Sequence, residues 1–215
     1  MPNRTPAAPR CAAFVGPYLS GKTTLLESLL SVTGAIPRKG SVRDGTAVGD
    51  SAPEAKARQM SVEIGLASTE YLGERWYFLD CPGSVELAPE TRAALMVADL
   101  AVVVCEPAPE KAVTLAPLFK FLDDNAIPHL VFVNKIDLLS GLQLRVRDLL
   151  QALQAVSARK LVLREVPIRE GESITGYVDL VSERAYHFNP KRPSDLVPLP
   201  ESISGRESEA RQEML

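Results

Sequence analysis

The stretch Gly16-Pro17-Tyr18-Leu19-Ser20-Gly21-Lys22-Thr23-Thr24 constrains this chain more than any other. It fits Gly-x-x-x-x-Gly-Lys-Ser/Thr. The apolar run Cys11 to Val15 before it reads as a strand, and Thr24 to Leu30 after it has the apolar spacing of a helix. Glycines at Gly16 and Gly21 let the backbone wrap an anion so that N–H groups around Ser20, Lys22, Thr23 and Thr24 point inward. The N-terminus of the following helix adds positive partial charge. Lys22 is placed to reach the β- and γ-phosphates of a nucleoside triphosphate, and the Thr23 hydroxyl to ligate Mg²⁺. These residues indicate a triphosphate without specifying the base.

The chain has 215 residues, 46% of them hydrophobic and 24% charged, which suits one ordinary α/β domain plus an appendage. A net charge of −3 gives no basic footprint, so no direct nucleic-acid binding is expected of this chain. Cys11, Cys81 and Cys105 form no CxxC and read as free thiols in a reducing compartment. The longest apolar run, Leu95 to Cys105, contains Asp99 and is too short to span a bilayer. Met1 to Arg10 is proline-rich and lacks the apolar centre of a signal peptide. A cytoplasmic monomer without membrane contact is the expectation.

Hydrophobic periodicity predicts a loose tail over 1–10, a first strand at Cys11 to Val15 and a first helix from Lys22 to about Val32. Thr33 to Gln59 is irregular, and so long a stretch inside a compact domain is expected to be functional or mobile. Val62 to Leu72 and Arg75 to Asp80 read as strands joined by a hairpin turn at Gly73-Glu74. A helical pattern follows to Val97, then a strand at Leu100 to Cys105 that is apolar throughout and so buried on both faces. Lys111 to Asn125 is helical, His129 to Val133 is predicted to be another buried strand, and Leu142 to Val156 is a helix with Leu142, Val146, Leu149, Leu150 and Leu153 on one face. Alternating strands and helices predict a mostly parallel sheet covered on both sides. After Ser157 the pattern turns to short strands at Leu161 to Ile168, Ile174 to Val181 and Ala185 to Phe188, then a proline-rich stretch over Asn189 to Pro200. Glu201 to Leu215 starts a polar helix that meets no stop signal, so the chain reads as a fragment cut at a helix.

Two more motifs stand where a nucleotide switch needs them. Asp80-x-x-Gly83 ends a strand; its carboxylate can hold Mg²⁺ through water, and the Gly83 N–H can meet the γ-phosphate. Asn134-Lys135-x-Asp137 follows a strand. Asp137 can accept from both N1–H and the exocyclic amine of guanine, a donor pair that adenine lacks, and a misfit leaves buried polar groups unpaired. The stem of Lys135 can cover the base, and Asn134 can tie the base loop to the phosphate loop. Together the three motifs point to GTP and GDP and disfavour an ATP-using kinase or ATPase.

With these residues in place the sequence resembles the GTPase domain of the translational GTPases, closest to elongation factor G, from about Cys11 to the chain end. Arg58-Gln59-Met60-Ser61-Val62 stands where that family has Arg-Gly-Ile-Thr-Ile, and Thr46, Asp50 and Glu54 keep the upstream spacing. Ile174-Thr175-Gly176-Tyr177-Val178-Asp179-Leu180-Val181 resembles part of the subdomain that elongation factor G inserts in its GTPase domain. The resemblance implies a P-loop NTPase three-layer sandwich over 11–157 and the start of an inserted β-rich subdomain over 158–215. It also implies Ser61 as the second Mg²⁺-ligating hydroxyl, beside Thr23 and with Asp80, and a ribosome as the partner of the full-length protein. Lys22, Ser61, Gly83 and Ser84 fall at the catalytic positions.

The departures from that family bear on turnover. Its phosphate loop reads Gly-His-Val-Asp-Ala-Gly-Lys-Thr-Thr; here Pro17, Tyr18 and Leu19 replace His, Val and Asp, removing a carboxylate. Its Asp-Thr-Pro-Gly-His becomes Asp80-Cys81-Pro82-Gly83-Ser84, so the histidine that orients the attacking water is a serine. His129 and His187 read as packing or surface residues, and Arg43 and Arg58 are stand-ins to be weighed against plain solvated arginines. Ser157-Ala158-Arg159 resembles a GTPase base loop, but in elongation factor G that loop follows the inserted subdomain and would lie beyond Leu215, which implies weakened nucleotide affinity here. The expected function is a slow or strongly ribosome-dependent GTPase. The alternatives are a GTP-binding interaction module that does not hydrolyse, or a ribosomal-protection-type factor.

Overall fold

The computed structural model describes residues 10–49, 53–58, 60–139, 146–171, 173–189 and 192–214. The chain divides into two compact units, one running to Glu106 and including Lys111–Asn134, the other comprising Pro107–Glu110 and the chain from Lys135.

In the first unit, β1 (Arg10–Val15), β3 (Glu74–Asp80), β4 (Leu100–Cys105) and β5 (His129–Val133) are parallel, and β2 (Gly65–Tyr71) pairs antiparallel with β3. The strand order is β2-β3-β1-β4-β5. Alternation along the central strands sends Ala12, Phe14, Val102 and Val104 to one face, where Leu26 and Leu30 of α1 (Lys22–Val32) cover them. Ala13, Val15, Ala101 and Val103 point the other way and are also fully buried. Burial on both faces is why β4 reads as a continuous apolar run rather than as alternation. The helices α3 (Ala88–Leu95) and α4 (Ala116–Asp124) bury Leu95, Phe119 and Leu122. This strand order sends the chain out of β1, β3, β4 and β5 at one common end of the sheet, which is where ligand-binding loops collect in open parallel sheets.

Several expectations are corrected. The β2–β3 hairpin turns at Leu72-Gly73 rather than Gly73-Glu74, because Tyr71 pairs with Glu74. Both turn residues have positive φ, 53° and 78°, as a two-residue type I′ turn requires. The strand β5 is not fully buried: it is the edge of the described sheet, with a neighbour on one side only, and Leu130 and Phe132 are 43% and 38% exposed. The helical pattern over Lys111 to Asn125 resolves into a 3₁₀ stretch, Pro109–Leu115, followed by α4, which has a proline in its first turn. The irregular stretch after α1 contains a short helix, α2 (Pro53–Arg58). Arg10, expected to end the loose tail over 1–10, instead opens β1, and residues 1–9, together with Asp50, Gln59 and Leu142, lie outside the described residues.

The second unit carries α5 (Val146–Gln154), which buries Leu149 and Leu153, and an antiparallel sheet in the order β6-β7-β8-β9. Its strands are β6 (Glu165–Glu170), β7 (Ser173–Asp179), β8 (Arg184–His187) and β9 (Asp195–Val197). The last falls in the stretch read as irregular, and β6 begins at Glu165 rather than at Leu161. One face of this sheet, with Val166, Ile168, Val178 and Ala185, packs against Ile203 and Ala210 of α6 (Glu201–Met214). On the other face Tyr177 stacks on Tyr186 at 5.2 Å. Among the described residues no helix is long and apolar enough to cross a membrane.

Candidate functional site

The phosphate loop leaves β1 and enters α1 through an unusual backbone. Gly16, Leu19 and Gly21 all have positive φ, at 139°, 62° and 95°. At Gly16 a Cβ would lie 2.1 Å from the Val104 carbonyl oxygen of β4, so only glycine lets the loop pass that strand. Leu19 adopts the left-handed conformation despite its side chain, which is 62% exposed. The Lys22 ammonium is buried and donates to the carbonyl oxygens of Gly16 (3.0 Å) and Pro17 (2.9 Å), drawing the loop into a closed ring around its own lysine. Ser20 is buried inside the loop, its Oγ without a hydrogen-bond partner among the described residues. Thr24 is exposed, and its carbonyl oxygen accepts from the Ser28 hydroxyl.

Three oxygen-bearing side chains converge at the start of α1. The Thr23 hydroxyl donates to Asp80 Oδ2 at 2.6 Å, and its oxygen lies 3.3 Å from Ser61 Oγ. Asp80 comes from the end of β3, whose register sets it opposite Phe14 of β1, and the Cys81 N–H donates to the Phe14 carbonyl. Parallel pairing of β1 with β3 therefore brings residues 57 positions apart into hydrogen bond. This donor set suits Mg²⁺, which prefers hard oxygen ligands at about 2.1 Å in octahedral geometry, so that neighbouring ligand oxygens sit about 3.0 Å apart. The Thr23–Ser61 spacing of 3.3 Å is close to that value. Asp80 bonds Thr23 directly, and its carboxylate would complete this set of oxygen donors.

Gly83 lies against the phosphate loop. A Cβ there would fall 2.5 Å from Lys22 Nζ and 2.7 Å from the Tyr18 nitrogen, so any larger residue would displace the lysine or the loop. Ser84 is extended, with φ −75° and ψ 138°, and starts the 3₁₀ turn Val85–Leu87 without a side-chain capping bond. Cys81 is fully buried, and desolvation, with the Asp80 charge next, pushes its thiol up to about 12. It stays a neutral, inert group beside the site.

Asn134 directly follows β5 and belongs to the same unit. Its N–H donates to the Cys105 carbonyl at 2.8 Å, and its side-chain Nδ2 donates to the Ser20 carbonyl at 2.9 Å. A Cβ on Gly21 would sit 2.3 Å from that Nδ2, so the tie and the glycine require each other. Lys135, with φ 58°, and Asp137, in a 3₁₀ turn over Ile136–Leu139, belong to the second unit. Ser157-Ala158-Arg159 also lies there, held by Gln154, whose Nε2 donates to the carbonyls of Ser157 and Arg159. His129 is beside Phe119, ring centroids 5.6 Å apart, and its Nδ1 meets the Ile127 carbonyl, a packing role. Thr46 closes a local turn, its Oγ1 accepting from the Ser41 N–H, and Glu54 is exposed on α2.

Sequence reasoning missed Glu27. It is 1% exposed on α1, one helical turn after Thr23, and its two carboxylate oxygens accept from the N–H groups of Gly40 (2.7 Å) and Val48 (2.5 Å). The signal lay only in spacing: Glu27 is four residues after Thr23 and three before Leu30, on a helix face where nothing but a partnered charge can be buried, while the partners themselves leave no mark in residue type.

A phosphate loop between β1 and α1, with Asp80 at the end of β3 and Asn134 directly after β5 in the same parallel sheet, defines a P-loop nucleotide-binding fold. Residues 9–194 match the elongation factor Tu GTP binding domain family, and the chain belongs to that family. Over its whole length it is 53% identical to an elongation factor G-like protein of Synechocystis, covering 32% of that protein. It is 31% identical to elongation factor G 2 of Streptomyces coelicolor over 77% of this chain and 24% of that one. Peptide chain release factor 3 of Lactobacillus delbrueckii is 32% identical over 86% of this chain and 36% of its own. A crystal structure of a Thermus thermophilus protein superposes with a TM-score of 0.84 at 32% identity, covering 96% of this chain and 30% of that one. The chain thus spans roughly a third or less of the length of these relatives.

Proposed function

We propose that this chain is the guanine-nucleotide domain of an elongation factor G-like translational GTPase that couples GTP binding and hydrolysis to a ribosomal step. Residues 11–157 form the nucleotide domain in this reading, and 158–215 the start of an inserted subdomain. The observation that carries it is the convergence of Thr23, Ser61 and Asp80 beside a phosphate loop whose lysine is already buried and aimed inward. Backbone N–H groups over Gly16, Ser20, Gly21, Lys22, Thr23 and Thr24 cradle the phosphates, and Lys22 exchanges its loop carbonyls for β- and γ-phosphate oxygens. Thr23 and Ser61 hold Mg²⁺, with Asp80 behind them; the bound ion neutralises charge on the phosphates. Gly83 offers its N–H to the γ-phosphate. Asn134, Lys135 and Asp137 read guanine, which the spacing of the motif supports.

Hydrolysis is slow without a stimulus. The position from which a histidine would orient the attacking water carries Ser84, which is shorter and uncharged, and Leu19 replaces an aspartate in the phosphate loop. The same two residues favour a second reading, a GTP-loaded interaction module with little turnover. Single-turnover GTP hydrolysis by the full-length protein, with and without ribosomes and beside Ser84→His, separates them. Stimulation by ribosomes supports the first reading. Tight binding with no turnover in either condition supports the second, and the absence of any guanine-nucleotide preference removes both.

A further inference from the structure

The long irregular segment after α1 is organised by one side chain. Burying a carboxylate is costly unless its oxygens are hydrogen-bonded. Glu27 meets that condition entirely with backbone N–H groups, from Gly40 and from Val48. The residues between them close on themselves: the Thr46 N–H donates to the Ser41 carbonyl and the Ser41 N–H to Thr46 Oγ1, both at 3.0 Å. One carboxylate thus clamps both ends of a loop. Gly40 is shaped to this clamp, since a Cβ there would lie 2.7 Å from Glu27 Oε2 and 2.4 Å from the Thr46 carbonyl oxygen.

The clamp continues into the phosphate site. Gly49 follows Val48 directly, and a Cβ on it would lie 3.0 Å from Asp80 Oδ2, while one on Gly65 at the start of β2 would lie 2.8 Å from Gly49 Cα. Gly49 is therefore wedged between β2 and the Asp80 carboxylate. On the other side Thr23, four residues before Glu27 and on the same helical face, bonds that same Asp80 oxygen. Helix α1 grips Asp80 directly through Thr23, and through Glu27 it grips the backbone that backs Asp80.

We infer that Glu27 is a positioning residue: it anchors the Gly40–Val48 loop to α1 and thereby holds Asp80 in the arrangement that accepts Mg²⁺ with a triphosphate. This rests on the reading of Thr23, Ser61 and Asp80 given under Proposed function. The test uses the full-length protein, wild type, Glu27→Gln and Gly40→Ala. Glutamine keeps the shape but turns one acceptor into a donor facing an N–H; alanine pushes on the clamp while leaving the carboxylate in place. Two readouts are taken: amide hydrogen exchange without nucleotide, and the Mg²⁺ concentration for half-maximal binding of a non-hydrolysable GTP analogue.

Both variants are expected to speed exchange at the Gly40 or Val48 amide about tenfold, with the amides of Leu30 and Val103 unchanged, and to raise the Mg²⁺ requirement by a similar factor. GDP affinity without Mg²⁺ stays the same. Unchanged exchange at Gly40 and Val48, or equal acceleration at Leu30 and Val103, would overturn the anchor. Faster local exchange with an unchanged Mg²⁺ requirement would overturn its link to Asp80. If the wild type binds no guanine nucleotide, the reading of the site fails by itself, while the exchange measurement still decides the anchor.

Discussion

Gly21→Ala probes the joint between the phosphate loop and Asn134, and its cost can be worked from two separate sources. At φ 95° an alanine pays about 1–2 kcal/mol for its Cβ in a left-handed conformation. That Cβ would also lie 2.3 Å from Asn134 Nδ2, so the amide must swing away and give up its 2.9 Å bond to the Ser20 carbonyl. A lost hydrogen bond of this kind costs about 1 kcal/mol. Urea unfolding of Gly21→Ala should therefore show a loss of about 2–3 kcal/mol. Asn134→Ala alone should lose about 1 kcal/mol and clear the space. In that background Gly21→Ala should cost only the backbone part, so the two changes together lose about 1 kcal/mol less than their sum. Strict additivity, or a Gly21→Ala loss below about 0.5 kcal/mol, would show that Asn134 does not occupy the space the glycine leaves.

Three further outcomes follow from other parts of the molecule. Leu72 sits at φ 53° in the β2–β3 turn and is 82% exposed, so Leu72→Asn should stabilise the protein by about 0.5–1 kcal/mol in thermal or urea unfolding, with no loss of packing. The paired Arg164 guanidinium, helped by the N–H groups of Ser182 and Val181, holds the Asp179 carboxyl down to about 2, from a usual 3.8. A depressed carboxylate stabilises above its unfolded value and loses that contribution as pH falls through the folded one. Asp179→Asn should thus cost about 1 kcal/mol at pH 7, discounted for the exposed arginine, and nothing near pH 1.5, as read by urea unfolding at the two pH values. Cys81 and Cys105, both buried with thiols pushed up to about 12 by desolvation, should resist alkylation in the native protein at pH 8 and react on unfolding.

What the sequence made legible was local or carried by a motif. The bounds of β4 match its apolar pattern because it is buried along most of its length, those of α1 because one of its faces, with Leu26 and Leu30, packs on the sheet, and the phosphate loop announces itself by residue type. What it concealed depends on partners distant in sequence. The strand β9 is three residues long in a proline-rich stretch and exists only because β8 offers it an edge. The strand β5 is apolar like β4, and only its place in the strand order makes it an edge. The hairpin turn shifted by one residue because Leu72 takes a conformation that its side chain disfavours. At the site, motif spacing anticipated that Thr23 and Asp80 belong together, and resemblance added Ser61. Glu27 went unread because its partners are backbone N–H groups, which leave no trace in residue type.

The central claim is that this domain binds guanine nucleotides through the residues named above, and equilibrium competition tests it most directly. The full-length protein is loaded with a fluorescent GDP, and unlabelled GTP, ATP and XTP compete for the site with Mg²⁺ present. The account predicts that GTP displaces the label while ATP does not. In Asp137→Asn the new amide offers a donor where guanine also has one, so preference should pass to XTP, which presents a carbonyl there. Displacement by ATP as effective as by GTP, or an Asp137→Asn variant that still prefers GTP, would contradict it.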